Sequence, residues 1–231
     1  MISDVIKKGR NRFFPPQATS TRHLFLLLLI LILAILLFEI TPLDVAIQRL
    51  LFKAEIGTWV LDRDQPWLRF ILYDGVKKLY FAIVIFFILL ALSPRLVRFG
   101  LPRDWTKSLD QGKVRVILIS LVLIPLIING LKAVTNVPCP KDLELFGGHY
   151  PHITLFSRYP NELLQLGRIR CYPAGHASGG FALMVLGILG ETRRAQIIIA
   201  SAACALGWIV GVYKMAIGDH FLGHTVVTML I

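Results

Sequence analysis

Long apolar runs separated by polar stretches dominate the chain. Leu24–Phe38 carries no charge, and its apolar character continues past Glu39 to Ile40. Four more runs follow at Leu79–Ser93, Val116–Leu131, Ala177–Gly190 and Ile197–Val212, and a sixth, Thr225–Ile231, reaches the last residue given. About 20 apolar residues, rising about 1.5 Å each, cross a hydrocarbon core of about 30 Å, so these runs predict membrane-spanning helices. Several runs are shorter than that, but their flanks extend them and long basic side chains can snorkel to the interface. The sixth falls short of a full span, which fits either a chain that ends there or a longer one that continues the span. The expected fold class is therefore all-α: a polytopic membrane helical bundle of about six transmembrane helices, with residues 1–231 forming a single integral-membrane domain.

The first run follows a basic segment (Lys7, Lys8, Arg10, Arg12 and Arg22), which suits a signal peptide or an anchor. Glu39 to Asp44 offers no small-residue cleavage site, so a retained anchor is expected.

Composition supports the membrane reading. The 231 residues are 55% hydrophobic and only 17% charged, whereas soluble domains carry about 25% charged residues. Three cysteines are too few for a disulfide-dense scaffold. The net charge of +11 does not indicate nucleic acid, because the basic residues sit between apolar runs rather than in a basic domain. With the N-terminus inside, segments 1–23, 94–115 and 191–196 hold a net +9, and the outer segments hold only +2. The loop bearing Arg95, Arg98, Arg103, Lys107, Lys113 and Arg115 is the strongest part of that signal, since short loops obey the positive-inside rule best. The expected location is a bacterial inner membrane with a cytoplasmic N-terminus. The segment Pro42–Lys78 mixes Leu, Ile and Trp with basic residues, which suits amphipathic structure on the outer interface, and the sequence assigns it no chemistry.

Three polar clusters fall at the outer ends of predicted spans: Lys132 to Pro140, Cys171 to His176, and Lys214 to His224. The predicted topology puts all three on one face, and ionisable groups at membrane depth default to function. Lys132 and Lys214 supply fixed positive charge. Gly175 lets a backbone N–H approach a ligand at a helix start, where anions are favoured. His176, His220 and His224 can attack, donate and accept protons near neutral pH. On a helix, His220 and His224 lie one turn apart, close enough for one ring to orient the other. Cations, a cradle and paired histidines suit phosphoryl transfer through a histidine nucleophile, with no metal set.

The clusters resemble the three signatures of the type 2 phosphatidic acid phosphatase family: K-x6-R-P, P-S-G-H and S-R-x5-H-x3-D. Lys132 and Pro140 match the first, and Pro173, Gly175 and His176 match the second. His220 lies six residues after Lys214, the spacing of the third. Four positions depart from the pattern: Cys139 replaces an arginine, Ala174 a serine, Tyr213-Lys214 a Ser-Arg pair, and His224 an aspartate. Lys214 is a point charge where the family has a guanidinium fork. Arg168 or Arg170 could fill the gap. His224 can accept the ring proton of His220, and Asp219, as a helical neighbour, would point about 100° away from His220.

The resemblance implies that His220 attacks phosphorus, that His176 protonates the leaving group and then activates water, and that Lys132, Gly175 and Lys214 bind phosphate. It implies no cofactor and no metal. The implied substrate is a lipid phosphate or diphosphate taken from the bilayer at the outer, periplasmic interface. Transfer to another lipid, and a degenerate member that binds phospholipid without turnover, are the alternatives. Cys139 and Cys171 flank the first two motifs on the oxidising face and are expected to pair. Cys204 reads as a packing residue, and His149 and His152 as loop residues.

Overall fold

The computed structural model describes residues 17–93, 109–160 and 168–231, with side chains from residue 21 onward. Lys7, Lys8, Arg10, Arg12, Arg95, Arg98, Arg103 and Lys107, which carry much of the topology argument, lie outside the described residues.

The apolar runs form helices, as their lengths require. Helix α1 spans Gln17–Ile40 and a short α2 spans Leu43–Leu50. A two-stranded antiparallel ribbon follows, β1 (Phe52–Lys53) paired with β2 (Thr58–Trp59). Next come α3 (Pro66–Leu92) and α4 (Gln111–Val134). After a long loop come α5 (Gly175–Leu189), α6 (Arg193–Ala216) and α7 (Leu222–Leu230). Four of these, α1, α3, α4 and α6, are long and apolar enough to cross a membrane. The chain is thus an all-α protein with the character of a membrane bundle. Exposed leucines and isoleucines ring the long helices, a surface that only lipid tolerates over such an area.

Polar caps begin the helices where the apolar patterns begin. Asp110 accepts the Lys113 N–H at the start of α4 (2.9 Å), and Thr192 accepts the Ala195 N–H at the start of α6 (3.2 Å). Helix α3 starts well before its apolar run, because residues 69–75 continue as a π-helical turn between Pro66 and Val76. Helix α5 is α-helical over Gly175–Ala182 and tightens to 3-10 over Leu183–Leu189. That tightening stretches it: 3-10 residues rise about 2.0 Å each against about 1.5 Å, so the short run reaches roughly 26 Å.

Helix α5 is the centre of the bundle, packed on α4, α6 and α7. Small residues permit this, since a Cβ on Gly180 would lie 2.5 Å from the Gly207 Cα of α6. Close backbone approach through glycine is how helices gain packing energy when lipid removes the hydrophobic driving force. The largest apolar cluster gathers Phe87, Leu90, Val114, Ile117, Leu121 and Leu183 towards the N-terminal end of α4. The C-terminal ends of α4 and α6 and the N-terminal end of α5 meet at the opposite end. This end is polar.

Candidate active site

Lys132 sits in the last turn of α4 and Lys214 in the last turn of α6, where a cation complements the helix dipole. His176 occupies the first turn of α5, whose N-terminus favours an anion. Beyond α6, the backbone turns at Gly218 with φ +76°, a conformation suited to glycine. The N–H groups of Asp219 and His220 both fold back onto the Lys214 carbonyl (2.8 and 3.3 Å). His220 therefore lies in a turn, and α7 begins only at Leu222. This corrects the expectation that His220 and His224 share one helix. Their rings are still close, with centroids 5.7 Å apart, and those of His176 and His220 are 6.4 Å apart.

A cavity of about 430 Å³ opens over these groups. Lys132, His176, Lys214 and His220 line it, together with Cys139 and Asp219. Gly175 does not line it but lines the adjoining groove that shares Lys132 and His176, and an added Cβ there would sit 3.4 Å from the Lys132 Nζ. His224 does not line the cavity; it is buried behind His220, with Nδ1 shielded from solvent and lacking a hydrogen-bond partner. Ala174 is fully buried against Ala177 and Phe181 and does not line the cavity. Its N–H donates to the His224 carbonyl (3.2 Å) and to Thr228 Oγ1 (2.8 Å), tying α5 to α7.

Cys139 and Cys171 form a disulfide, with Cα atoms 5.3 Å apart, joining the loop after α4 to the loop before α5. The Thr135 hydroxyl donates to the Tyr172 carbonyl across the same junction. Arg168 donates to the Ala133 and Val134 carbonyls (3.5 and 3.2 Å), capping α4, and stays out of the cavity. Arg170 lines it.

The segment to which the sequence assigned no chemistry contributes Arg63, Arg69 and Tyr73 to the same wall, and Lys141 comes from the loop after α4. Six basic side chains thus face one cavity with a single carboxylate, Asp219. The only sequence signal for Arg63 and Arg69 was their position at the outer end of a span, on the face of the three clusters. Asp219 is not a helical neighbour of His220 but the hub of the cations: it pairs with Lys214 and Lys141 (2.9 Å each) and with Arg63. Burial pushes its carboxyl up, but Lys214 and Lys141 outweigh this and hold it below the ordinary carboxylate value. Lys214, only 6% exposed in its side chain, also lies 4.4 Å from the centre of the Tyr73 ring. Tyr73 in turn stacks near His176, with ring centres 4.8 Å apart.

Burial first, then the charges of His224, Lys132, His176 and Lys214, keep His220 neutral far below the ordinary histidine value. A neutral imidazole keeps a lone pair free, and the cations around it favour an anion in the cavity. Its Nδ1 lies 3.6 Å from the Cys171 sulfur. Cys171, His220 and His224 also form the group with metal-ligand spacing among the described residues, but the Cys171 sulfur is consumed by the disulfide and cannot serve as a thiolate.

No curated protein and no solved structure matches the chain. Residues 113–231, just over half the chain and including all three polar clusters, match the model of the PAP2 superfamily. The chain belongs to the PAP2 superfamily.

Proposed function

We propose that this protein is an integral-membrane lipid phosphate or diphosphate phosphatase that works through a phosphohistidine on His220. The observation that carries this reading is the convergence of a buried neutral histidine, a second histidine and six cations on one cavity. With Nδ1 turned to the Cys171 sulfur, Nε2 of His220 is the nitrogen left to attack phosphorus. The P–O bond to the leaving group breaks as the N–P bond forms, and His176 donates its proton to the departing oxygen. His176 then takes a proton from water, whose oxygen attacks the phosphohistidine, releasing phosphate and restoring His220. Lys132, Lys214 and the N-terminal backbone of α5 at Gly175 bind the equatorial oxygens, with Arg170, Arg63 and Arg69 supplying the guanidinium chemistry absent at positions 139 and 214.

A lipid substrate is supported by a second groove of about 340 Å³ that shares Tyr73, Lys132 and His176 with the cavity. It runs down between α3, α4 and α5 past Tyr80, Phe81, Pro125 and Gly179, and so offers a hydrocarbon chain a path from the bilayer to the phosphate site. In this reading a single domain of six spans, the last short, sits in a bacterial inner membrane with its N-terminus cytoplasmic and the cavity periplasmic. The disulfide suits an oxidising face.

Phosphate release from a panel of lipid phosphates in detergent, with and without a chelator, tests the reading. Release is expected from the wild-type chain in both conditions and is lost in His220→Ala. An unaffected His220→Ala variant would remove the nucleophile from the mechanism, and loss with chelator would indicate a metal.

A further inference from the structure

His176 is the group that gives a proton to the departing oxygen, yet neither of its ring nitrogens is hydrogen-bonded among the described residues. A catalytic imidazole is ordinarily oriented by the partner of its other nitrogen. What flanks this ring instead is aromatic: the Tyr73 ring, tilted 40° to it with centres 4.8 Å apart. The His220 ring is farther away, at 6.4 Å.

Tyr73 belongs to the π-helical turn over residues 69–75, a kind of turn frequent at functional sites. The turn leaves no room for a side chain at Gly75, where a Cβ would lie 2.9 Å from the Phe70 carbonyl oxygen. With Lys132 and His176, Tyr73 is one of three residues that line both the cationic cavity and the groove beside it. It therefore stands where the phosphate and the hydrocarbon part of a substrate would join, which is the place of the leaving oxygen. Its ring also faces Lys214, whose Nζ lies 4.4 Å from the ring centre. Its hydroxyl makes no hydrogen bond among the described residues, so the ring makes the contacts with both catalytic neighbours.

We infer that Tyr73 is a positioning residue for proton donation: its ring holds the His176 imidazole towards the leaving oxygen and, through Lys214, ties that donor to the bound phosphate. An aromatic face favours the imidazolium that must form before the proton is given. Misplacing a catalytic group by about 1 Å can cost about 10²-fold in rate, so a ring that fixes His176 matters to turnover. Tyr73 lies outside the matched residues 113–231, so this part of the site comes from the N-terminal half of the chain. The inference rests on the phosphohistidine reading above, in which His176 is the proton donor.

The plain structural alternative is that Tyr73 only packs against Leu68, Tyr213 and Ile217. Leaving-group dependence in detergent separates the two. A long-chain alkyl phosphate needs a proton on its departing oxygen, whereas a nitrophenyl phosphate bearing the same tail does not, because nitrophenolate leaves unprotonated. The readout is kcat/KM, which covers only the steps through departure of the leaving group. In Tyr73→Leu it is expected to fall about 10- to 100-fold for the alkyl ester, part of what general acid catalysis supplies. For the nitrophenyl ester the fall is expected to be only a few-fold, the scale of a lost cation–π contact with Lys214. Tyr73→Phe, which keeps the ring, is expected to restore most of the loss on the alkyl ester. Equal effects of Tyr73→Leu on the two esters, or a Tyr73→Phe variant as slow as Tyr73→Leu, overturn the inference and leave the phosphatase reading standing. A wild-type chain that releases phosphate from neither ester overturns both.

Discussion

Lys214 Nζ lies 2.9 Å from Asp219 Oδ2, across the turn that carries the candidate nucleophile. The same carboxylate holds Lys141 and Arg63, so one acidic group gathers cations from α6, the loop after α4 and the loop before α3. Removing the cation while keeping the stem, as in Lys214→Met, is expected to lower kcat/KM about 10²- to 10³-fold, the scale of a lost oxyanion contact. Lys214→Arg, which supplies a planar fork, should retain most of the activity. Steady-state kinetics on one lipid phosphate decides it; equal loss in both variants would reduce Lys214 to a packing role.

The pH dependence of stability has a definite sign. His220 is neutral in the folded chain well below 6.5, whereas the unfolded chain takes up that proton near 6.5. The stabilisation it contributes is therefore present above 6.5 and is lost as pH falls towards its folded value. Asp44 acts oppositely. Burial raises it from 3.8 to about 6, against the pull of the Gly223 N–H, so its contribution is present below 3.8 and is lost as pH rises to about 6. Glu39, His152, Tyr172 and His224 share its cavity, and Gly223 is its backbone partner. Melting temperature in detergent should fall from pH 7 to pH 5, less steeply in His220→Gln and more steeply in Asp44→Asn. Parallel curves for all three proteins would contradict this.

The sequence revealed what spacing and hydropathy encode. Lys132, His176, Lys214 and His220 could be read together because motif spacing is linear, and the long helices because apolar length is. Contacts across the chain left no such trace. Arg63 and Asp219 are 156 positions apart, and nothing near either residue announces the other. The place of Asp219 is hidden because a continuing helix would turn it away from the site, whereas the turn at Gly218 swings its carboxylate towards the lysines. The start of α3 was hidden because Arg69, Asp74, Lys77 and Lys78 interrupt its hydropathy, although the backbone runs helically through them.

The disulfide closes a loop of 32 residues between Cys139 and Cys171. By chain entropy this is worth about 3–4 kcal/mol against the open, reduced chain. It also fixes two walls of the cavity, so its loss should reach activity as well as stability. Cys139→Ser with Cys171→Ser, or treatment with reductant, is expected to shorten the half-life of thermal inactivation in detergent and to raise KM. A reduced protein with unchanged half-life would show that the hydrogen bonds at Tyr172 and Asn136 hold this junction without it.

The groove between α3, α4 and α5 makes the substrate's hydrocarbon part testable separately from its phosphate. A Cβ added at Gly179 would lie 3.5 Å from the Tyr80 ring, ordinary contact, so a small side chain fits while a long one must extend into the groove. Gly179→Ala is therefore expected to behave like wild type. Gly179→Leu places three further carbons where an acyl or prenyl chain would lie, one turn below His176, without touching Lys132, Lys214 or His220. Its kcat/KM for a long-chain lipid phosphate should drop tenfold or more, on the scale of about 1–3 kcal/mol for a few methylenes. Hydrolysis of a water-soluble short-chain phosphate ester should be nearly unaffected, because its phosphate reaches the cationic cavity without using the groove. Equal losses on both substrates would mean that the leucine displaces His176, and no loss on either would mean that the chain takes another path.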